Sequence, residues 1–402
     1  MAVHLALLTP EWWYEGSPGG IATYCHIFAD QAASLGHDVT VFAPGGGTTP
    51  ASIDRVRVLT VPVAAPTPRG YAEAFRDAVG SWIQQGHPID CVEAADYLGF
   101  AALLGRSVPV ATRLHTPYTY LLERRGGAPS VTDRDVLALE GEQIRRSALV
   151  TSPSMWLAEI ATRLWDLPRQ PPVIPNPIPR LPDIGASPNA ESNPRMPLRV
   201  LYFGHLTEHK GVFTLAQALR DWFDQGADAT VSFVSQEAPW KNLAETRIRQ
   251  ILGRHADPPR CRLLPEQRGE QLQRTIAAAD LVVLPSHHDN LPYTVVEAMT
   301  HAKPVISTTG SGCAEIIDHG RTGFLVPPGD AAALTETLTL LSTDRAALTA
   351  IGRRAQASLT RFSNQHTTAR LADLYAHASD DHRDIPHLRS DKPGHVRPTG
   401  MA

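Results

Sequence analysis

Short apolar runs alternate with helical patterns of hydrophobic residues along most of the chain. The apolar runs predict strands at 3–8, 38–42, 91–95, 109–114, 148–152, 198–203, 231–235, 281–285, 304–308 and 324–326. Between them, amphipathic spacing predicts helices that include 20–35, 211–222 and 331–341. Strands separated by helices are typical of parallel sheets that are covered on both faces. The pattern therefore predicts an α/β fold with two doubly wound parallel-sheet domains.

A proline-rich stretch separates the two halves, because nine prolines stand between Pro171 and Pro197. Such a stretch reads as an extended linker. We therefore divide the chain into a first domain at 1–175, a linker at 176–197 and a second domain at 198–360. A helix at 361–378 is expected to return to the first domain. The polar, Pro- and Gly-containing segment 379–402 is expected to be disordered.

Composition narrows the class of protein. The chain has 402 residues, 43% of them hydrophobic, and its 37 Lys and Arg against 41 Asp and Glu give a net charge of −4. This balance argues against nucleic-acid partners. The four cysteines form no CxxC pair, which fits a reducing compartment. A signal peptide and a run of about 20 apolar residues are both missing, so we expect a cytoplasmic protein without a transmembrane segment. Peripheral membrane contact stays open.

In open parallel sheets, ligands bind at the loops that follow the strands. One such loop ends in Gly19-Gly20 at a helix start, where backbone N–H groups can approach an anion, although a flexible turn explains the glycines equally. The loop at 203–211 places Lys210 just before a helix, where it could meet a phosphate or simply be solvated. Neither loop carries G-x-G-x-x-G or a P-loop signature.

Two carboxylates frame a third loop. Asp289 follows a buried strand, and we place Glu297 in the first turn of the helix after it. Carboxylates accept paired hydrogen bonds from neighbouring hydroxyls, which suits a sugar or ribose. Alternatively, Glu297 only stabilises the helix N-terminus. His115, at the end of a first-domain strand, could face the same cleft or could be purely structural.

Together these segments resemble glycosyltransferase family 4. The similarity is carried by 203–211, 289–299 and 315–330, and in the first domain by Gly19-Gly20, 113–117, 151–154 and 173–177. The resemblance implies a GT-B fold, in which two Rossmann-like domains face each other across a cleft. It also implies transfer of a sugar, with retention, from a nucleotide-diphosphate sugar to a small-molecule or glycan acceptor that bears a hydroxyl. No metal and no other cofactor is expected.

The resemblance also implies a role for each site residue. Lys210 would neutralise the diphosphate with help from the Gly20 N–H, Asp289 would lie against the donor sugar, Glu297 would bind the ribose, and His115 would sit near the reacting carbon. The predicted catalytic residues are Lys210, Asp289 and His115, and the predicted donor-binding residues are Gly20, His205, Lys210, Asn290, Leu291 and Glu297.

Three positions depart from the family pattern. His205 stands where an Arg is usual, Asp289 where a Glu is usual, and Ala302 where a Gly is usual. An ordinary histidine has a pKa of about 6.5. We therefore expect a protonated His205 to assist donor binding, and donor affinity to fall above neutral pH.

The sequence leaves other functions open. A GT-B enzyme with an unusual acceptor or a non-glycosidic coupling, and a non-catalytic sugar-nucleotide-binding protein, are alternatives. A nicotinamide-dependent oxidoreductase would carry the dinucleotide fingerprint that the chain does not have. We interpret Asp133-Arg-Asp135 as a solvated helix face rather than a metal motif. The cluster Trp12-Trp13-Tyr14 either shapes the acceptor pocket or packs beneath its loop, and packing is favoured.

Overall fold

A computed structural model of the chain describes residues 2–12, 19–45, 55–178, 196–235, 241–362 and 364–383. Most of the predicted linker, and the tail from residue 384 onward, therefore lie outside the described residues. Within the described parts, each half of the chain forms one six-stranded sheet with helices packed against it.

The first sheet is wholly parallel, with the strand order β3-β2-β1-β4-β5-β6. Its strands are β1 (His4–Leu8), β2 (Asp38–Pro44), β3 (Val56–Val61), β4 (Cys91–Ala95), β5 (Val110–Arg113) and β6 (Leu149–Thr151). Its helices are α1 (Gly20–Ser34), α2 (Pro68–Gln84), α3 (Tyr118–Arg125), α4 (Val131–Arg146) and α5 (Met155–Leu164).

The second sheet repeats this connectivity, with the order β12-β11-β10-β7-β8-β9, again wholly parallel. Its strands are β7 (Leu198–Phe203), β8 (Ala229–Val234), β9 (Cys261–Leu264), β10 (Leu281–Val283), β11 (Val305–Thr308) and β12 (Phe324–Val326). The helices that follow β7 along the chain are α6 (Val212–Asp224), α7 (Lys241–Leu252), α8 (Gly269–Ala278), α9 (Tyr293–Thr300), α10 (Ala331–Ser342), α11 (Arg345–Ser358) and α12 (Asn364–Arg383).

The predicted central strands are present because their residues are buried on both faces. All five residues of β4 and all four of β11 are buried. The apolar pattern missed β3 and β9, which lie at the sheet edges. Both strands have exposed or half-buried positions, so neither shows a continuous apolar run. The polar helix α2 was missed for a related reason, since only three of its residues are buried.

The last helix, α12, crosses back to the first domain. Leu371, Ala372 and Tyr375 are buried in the core that the first sheet shares with α1, and the Tyr375 ring lies 6.0 Å from that of Phe28. The helix continues to Arg383, five residues beyond the predicted end at 378, and the residues after it lie outside the described part of the chain.

Two further expectations concern the first domain. Asp133 is buried rather than solvated, because its carboxylate forms a capping box with Ser130 at the start of α4 and accepts a 2.5 Å hydrogen bond from the Tyr118 hydroxyl. Trp12 is buried against the His26 ring, at 5.7 Å. Trp13 and Tyr14 lie outside the described residues.

Each sheet changes its direction of winding at one place, between β1 and β4 in the first sheet and between β7 and β10 in the second. Ligands of open parallel sheets bind at such points, outside the carboxyl ends of the strands. The loops that follow β1, β5, β7 and β10 all contribute to one cavity between the domains. The fold therefore places the candidate site in that cavity.

Candidate active site

A cavity of about 430 Å³ lies between the two domains. The eight predicted site residues all line it: Gly20, His115, His205, Lys210, Asp289, Asn290, Leu291 and Glu297. The first two come from the first domain, and the other six come from the loops after β7 and β10 and from α9. The topology thus brings together residues that are up to 277 positions apart, from Gly20 to Glu297.

Lys210 and Asp289 form a direct ion pair in the cavity wall. The Lys210 Nζ lies 2.6 Å from the Asp289 Oδ2, and both side chains are only partly exposed. The same carboxylate accepts hydrogen bonds from the Ser286 hydroxyl at 3.3 Å and from the Asn290 backbone N–H at 3.0 Å. The resemblance implied separate roles for Lys210 and Asp289, whereas the structure couples them.

Close backbone packing holds the loop that carries Asp289. The Gly312 N–H donates to the Asp289 carbonyl at 3.0 Å, and a Cβ at Gly312 would lie 1.8 Å from the Asn290 carbonyl oxygen. Gly211 has φ +71°, and a Cβ there would lie 1.9 Å from the Pro285 carbonyl oxygen. Only glycine fits at these two positions, so the glycines brace the loop from both sides.

Glu297 lies in the second turn of α9, not in the first turn as predicted. It is therefore poorly placed to stabilise the helix N-terminus. Its carboxylate lines the cavity without a hydrogen-bond or ion-pair partner among the described residues. Burial raises the pKa of Glu297 to about 7. A half-buried carboxylate that lines a cavity without a partner among the described residues indicates a site at which a ligand supplies the donors.

His205 does not carry a permanent positive charge. Burial, together with the nearby charge of Lys210, lowers the pKa of His205 below its ordinary 6.5. The lowered pKa favours a neutral His205 ring in the free protein, and the part that a protonated His205 plays in donor binding stays a prediction. The Tyr202 hydroxyl donates to the His205 carbonyl at 2.6 Å. The His205 Nδ1 is buried and has no hydrogen-bond partner among the described residues.

His115 stands on a loop that two buried carboxylates hold in place. The His115 N–H donates to Asp96 Oδ1 at 2.8 Å. Glu140 accepts from the N–H groups of Tyr118 at 2.8 Å and Thr119 at 2.9 Å. Burial and the adjacent Arg113 lower the pKa of His115 to about 3. The ring is therefore neutral at physiological pH and cannot act there as a general acid.

Gly20 begins α1 at the edge of the cavity. The first N–H groups of a helix have no partner within it and carry partial positive charge. The N-cap residue, Gly19, donates its N–H to the Glu11 carboxylate at 2.6 Å. A Cβ at Gly20 would meet no atom of the described residues within 4 Å.

Asn290 connects the domains rather than only facing the cavity. Its Nδ2 donates to the His115 carbonyl at 3.1 Å, and its Oδ1 accepts from the Ser154 hydroxyl at 3.0 Å. Nearby, the Glu315 carboxylate accepts from the N–H groups of Met155 and Trp156, both at 2.8 Å. These contacts fix the two sides of the cavity relative to each other.

Sequence reasoning missed several residues of the site. Asp96, Glu140 and Glu315 each accept hydrogen bonds from backbone N–H groups that lie far away in the chain, so no local pattern reveals them. His209 and His288 also line the cavity. The sequence could have indicated both histidines as site residues, because each stands in a loop that directly follows a strand.

Comparison with known families identifies the chain. The sequence profile described as Glycosyltransferase Family 4 matches residues 18–180. That described as "Glycosyl transferases group 1" matches residues 197–344. Each match covers one of the two domains that form the cavity. The chain belongs to glycosyltransferase family 4.

Relatives of this glycosyltransferase agree. The glycogen synthase of Mycobacterium tuberculosis is 25% identical over 94% of this chain and 96% of its own length. The amylovoran biosynthesis glycosyltransferase AmsK of Erwinia amylovora is 30% identical, but the match covers 44% of each chain. The Anabaena protein HepE, solved in complex with UDP-glucose, is 20% identical and superimposes with a TM-score of 0.73 over 93% of this chain and 100% of its own.

The glycosyltransferase has the GT-B fold, in which two parallel-sheet domains form one cleft. None of the helices in the described part of the chain is both long and apolar enough to cross a membrane. The same part of the chain holds no group of three or more His, Cys, Asp or Glu side chains arranged to hold a metal ion.

Proposed function

We propose that this glycosyltransferase transfers a sugar from a nucleotide-diphosphate sugar to a hydroxyl-bearing acceptor, with retention of anomeric configuration and without a metal. The observation that carries the donor assignment is the unpartnered Glu297 carboxylate in the same cavity as the Lys210–Asp289 ion pair. An acceptor of hydroxyl hydrogen bonds beside a cation suits a ribose linked to a diphosphate. The binding of UDP-glucose by HepE supports this assignment.

In the proposed reaction, Lys210 stabilises the negative charge that develops on the departing nucleoside diphosphate. The N–H groups at the start of α1 assist from the opposite domain. Asp289 orients Lys210 and contacts the donor sugar, and Glu297 binds the ribose. Neutral His115 lies near the reacting carbon as a hydrogen-bonding group. The bond from the anomeric carbon to the diphosphate breaks, the bond to the acceptor oxygen forms, and the hydroxyl proton passes to the leaving group.

The test begins with thermal melting in the presence of UDP-glucose, GDP-mannose and ADP-glucose. A ligand that binds only the folded state stabilises it by about 2.7 kcal/mol at 100 times its Kd. We expect one donor to raise the melting temperature, and the free nucleoside diphosphate to do so as well. NMR of the sugar product then gives its anomeric configuration. An unchanged melting temperature with all three donors would contradict the proposal. The acceptor class and a cytoplasmic location stay predictions.

A further inference from the structure

The cavity holds little positive charge for a ligand that carries a diphosphate. Among the residues the structure describes, Lys210 is the one Lys or Arg that lines it, and Asp289 pairs with Lys210 at 2.6 Å. Arg113 lies close by, but it is fully buried and donates to the Ile174 carbonyl and to the Asn176 side chain. Each phosphate of a nucleotide-diphosphate sugar carries a negative charge. That charge needs further compensation.

Three histidines line the cavity on the side of Lys210. His205 follows β7, His209 directly precedes Lys210, and His288 directly precedes Asp289. The rings of His209 and His288 are nearly parallel, with centroids 6.3 Å apart. The His287 N–H donates to the His209 carbonyl at 2.8 Å, which ties the two loops together. The Nδ1 of His205 is buried and has no partner among the described residues.

The pKa values of these histidines favour the neutral ring in the free protein. Burial is the main cause of a lowered pKa in each case, and it lowers the pKa of His209 to about 4. Lys210 acts in the same direction on all three rings, and Arg124 and His287 do so on His288. The opposing carboxylates are Glu266 near His205 and Asp289 near His209 and His288. An anion among the three rings would reverse this balance.

We propose that His205, His209 and His288 form a proton-accepting cluster that becomes positively charged when the diphosphate of a nucleotide sugar enters the cavity. The inference rests on the proposed function, because it requires a donor that carries a diphosphate. The cluster would replace the permanent cation that is missing at position 205, and donor binding would take up protons from solution.

Proton uptake on binding sets the direction in which donor affinity changes with pH. A histidine that is neutral in the free protein and protonated in the complex binds a proton together with the ligand, so affinity is highest at low pH. Affinity falls by up to about tenfold per pH unit for each linked proton as pH rises from the free-state pKa to the bound-state pKa. Glu297 is a second possible proton acceptor, since burial already raises its pKa to about 7.

Titration calorimetry tests the proposal. The probe is whichever of UDP-glucose, GDP-mannose and ADP-glucose binds best, measured at pH 7 in two buffers that differ in ionisation enthalpy. We expect the wild-type chain to take up about one proton per bound donor. The triple variant His205→Gln/His209→Gln/His288→Gln is expected to lose this uptake and the dependence of Kd on pH. If the triple variant does not fold, the uptake lost in the three single variants must sum to the wild-type value.

Two controls make the result decisive. His287→Gln alters a neighbouring histidine that does not line the cavity and whose Nε2 contacts the Thr214 hydroxyl at 3.1 Å, so proton uptake should persist. Uptake that survives the triple variant and disappears in Glu297→Gln would overturn the proposal, as would binding without uptake in the wild-type chain. If no probe binds, the proposed donor site itself fails, and this inference fails with it.

Discussion

On the first-domain side of the cavity, one buried carboxylate, that of Glu140, finds its hydrogen-bond donors within the protein. The Glu140 carboxylate accepts hydrogen bonds from three backbone N–H groups and from the Thr119 hydroxyl. On the second-domain side, Glu297 has no partner among the described residues, and a single cation, Lys210, is shared with Asp289. Glu140 thus has a scaffold role, since its partners all lie within the protein. Glu297, in contrast, has hydrogen-bonding capacity that a ligand can use.

Carboxylates of these two kinds contribute differently to folding and to ligand binding. Satisfied buried carboxylates stabilise the fold, and removing one leaves several N–H groups without acceptors. An unpartnered buried carboxylate does the opposite, since it destabilises the free protein and gains its partners from a ligand. Variants on the two sides should therefore separate loss of stability from loss of function.

Lys210→Ala should have the largest effect on activity. Removing a cation that stabilises developing charge costs about 100- to 1,000-fold in kcat. The melting temperature should change little, because the Lys210 side chain is partly exposed at the cavity wall. Steady-state kinetics with the identified donor give the measurement, and Lys210→Arg is the matched control that keeps the charge. Near-wild-type kcat in Lys210→Ala would remove Lys210 from the mechanism.

Glu140→Ala should have the largest effect on stability. It leaves the N–H groups of Leu98, Tyr118 and Thr119 without their acceptor in a buried site. We expect the free energy of unfolding to fall by about 3 kcal/mol or more, as measured by urea denaturation. The control is Glu142→Ala on the same helix, where an exposed ion pair with Arg145 contributes at most about 0.5 kcal/mol. Equal stability of the two variants would contradict the scaffold role.

Glu297→Gln should have a smaller effect of opposite sign. Burial raises the pKa of Glu297 from its ordinary 4.5 to about 7, so the folded chain binds this proton more tightly than the unfolded chain does. The native state therefore loses stability as pH rises through this window. The variant should be more stable than wild type at pH 8, by up to the roughly 3 kcal/mol that a pKa difference between 4.5 and about 7 represents, and nearly equal to it at pH 4.5 or below.

Denaturation series at the two pH values measure this difference. The exposed Glu270, which pairs with Arg274, provides the control Glu270→Gln, because an exposed ion pair contributes little to stability. A Glu297→Gln variant that is less stable than wild type at pH 8 would show that Glu297 already has a stabilising partner.

The sequence predicted the central strands and the loops of the site, because continuous apolar runs and glycines after strands are local signals. It did not predict β3 or β9, whose edge positions leave them partly polar. Neither the Lys210–Asp289 ion pair nor the hydrogen bond from Asn290 to the His115 carbonyl could be predicted. Both join residues that are far apart in the chain. The pairing of β7 with β10 in the second sheet brings Lys210 to Asp289, whereas the packing of the two domains brings Asn290 to His115.

Protonation states were also beyond the sequence. An unperturbed histidine at position 205 would titrate near pH 6.5, but burial beside Lys210 lowers the pKa. The neutral state of His115 likewise depends on burial and on Arg113. Residue type gives the ordinary pKa, whereas the shift depends on tertiary surroundings.

The central claim is that Glu297 and the loops beside it bind a nucleotide-sugar donor. The most direct test is a calorimetric titration at pH 8 of the stabilising nucleotide sugar against the wild-type chain and Glu297→Gln. We expect a Kd at least about tenfold weaker for the variant, because a hydrogen bond to a charged group is lost, although the variant itself is the more stable protein. Equal Kd values for the two proteins would contradict the account.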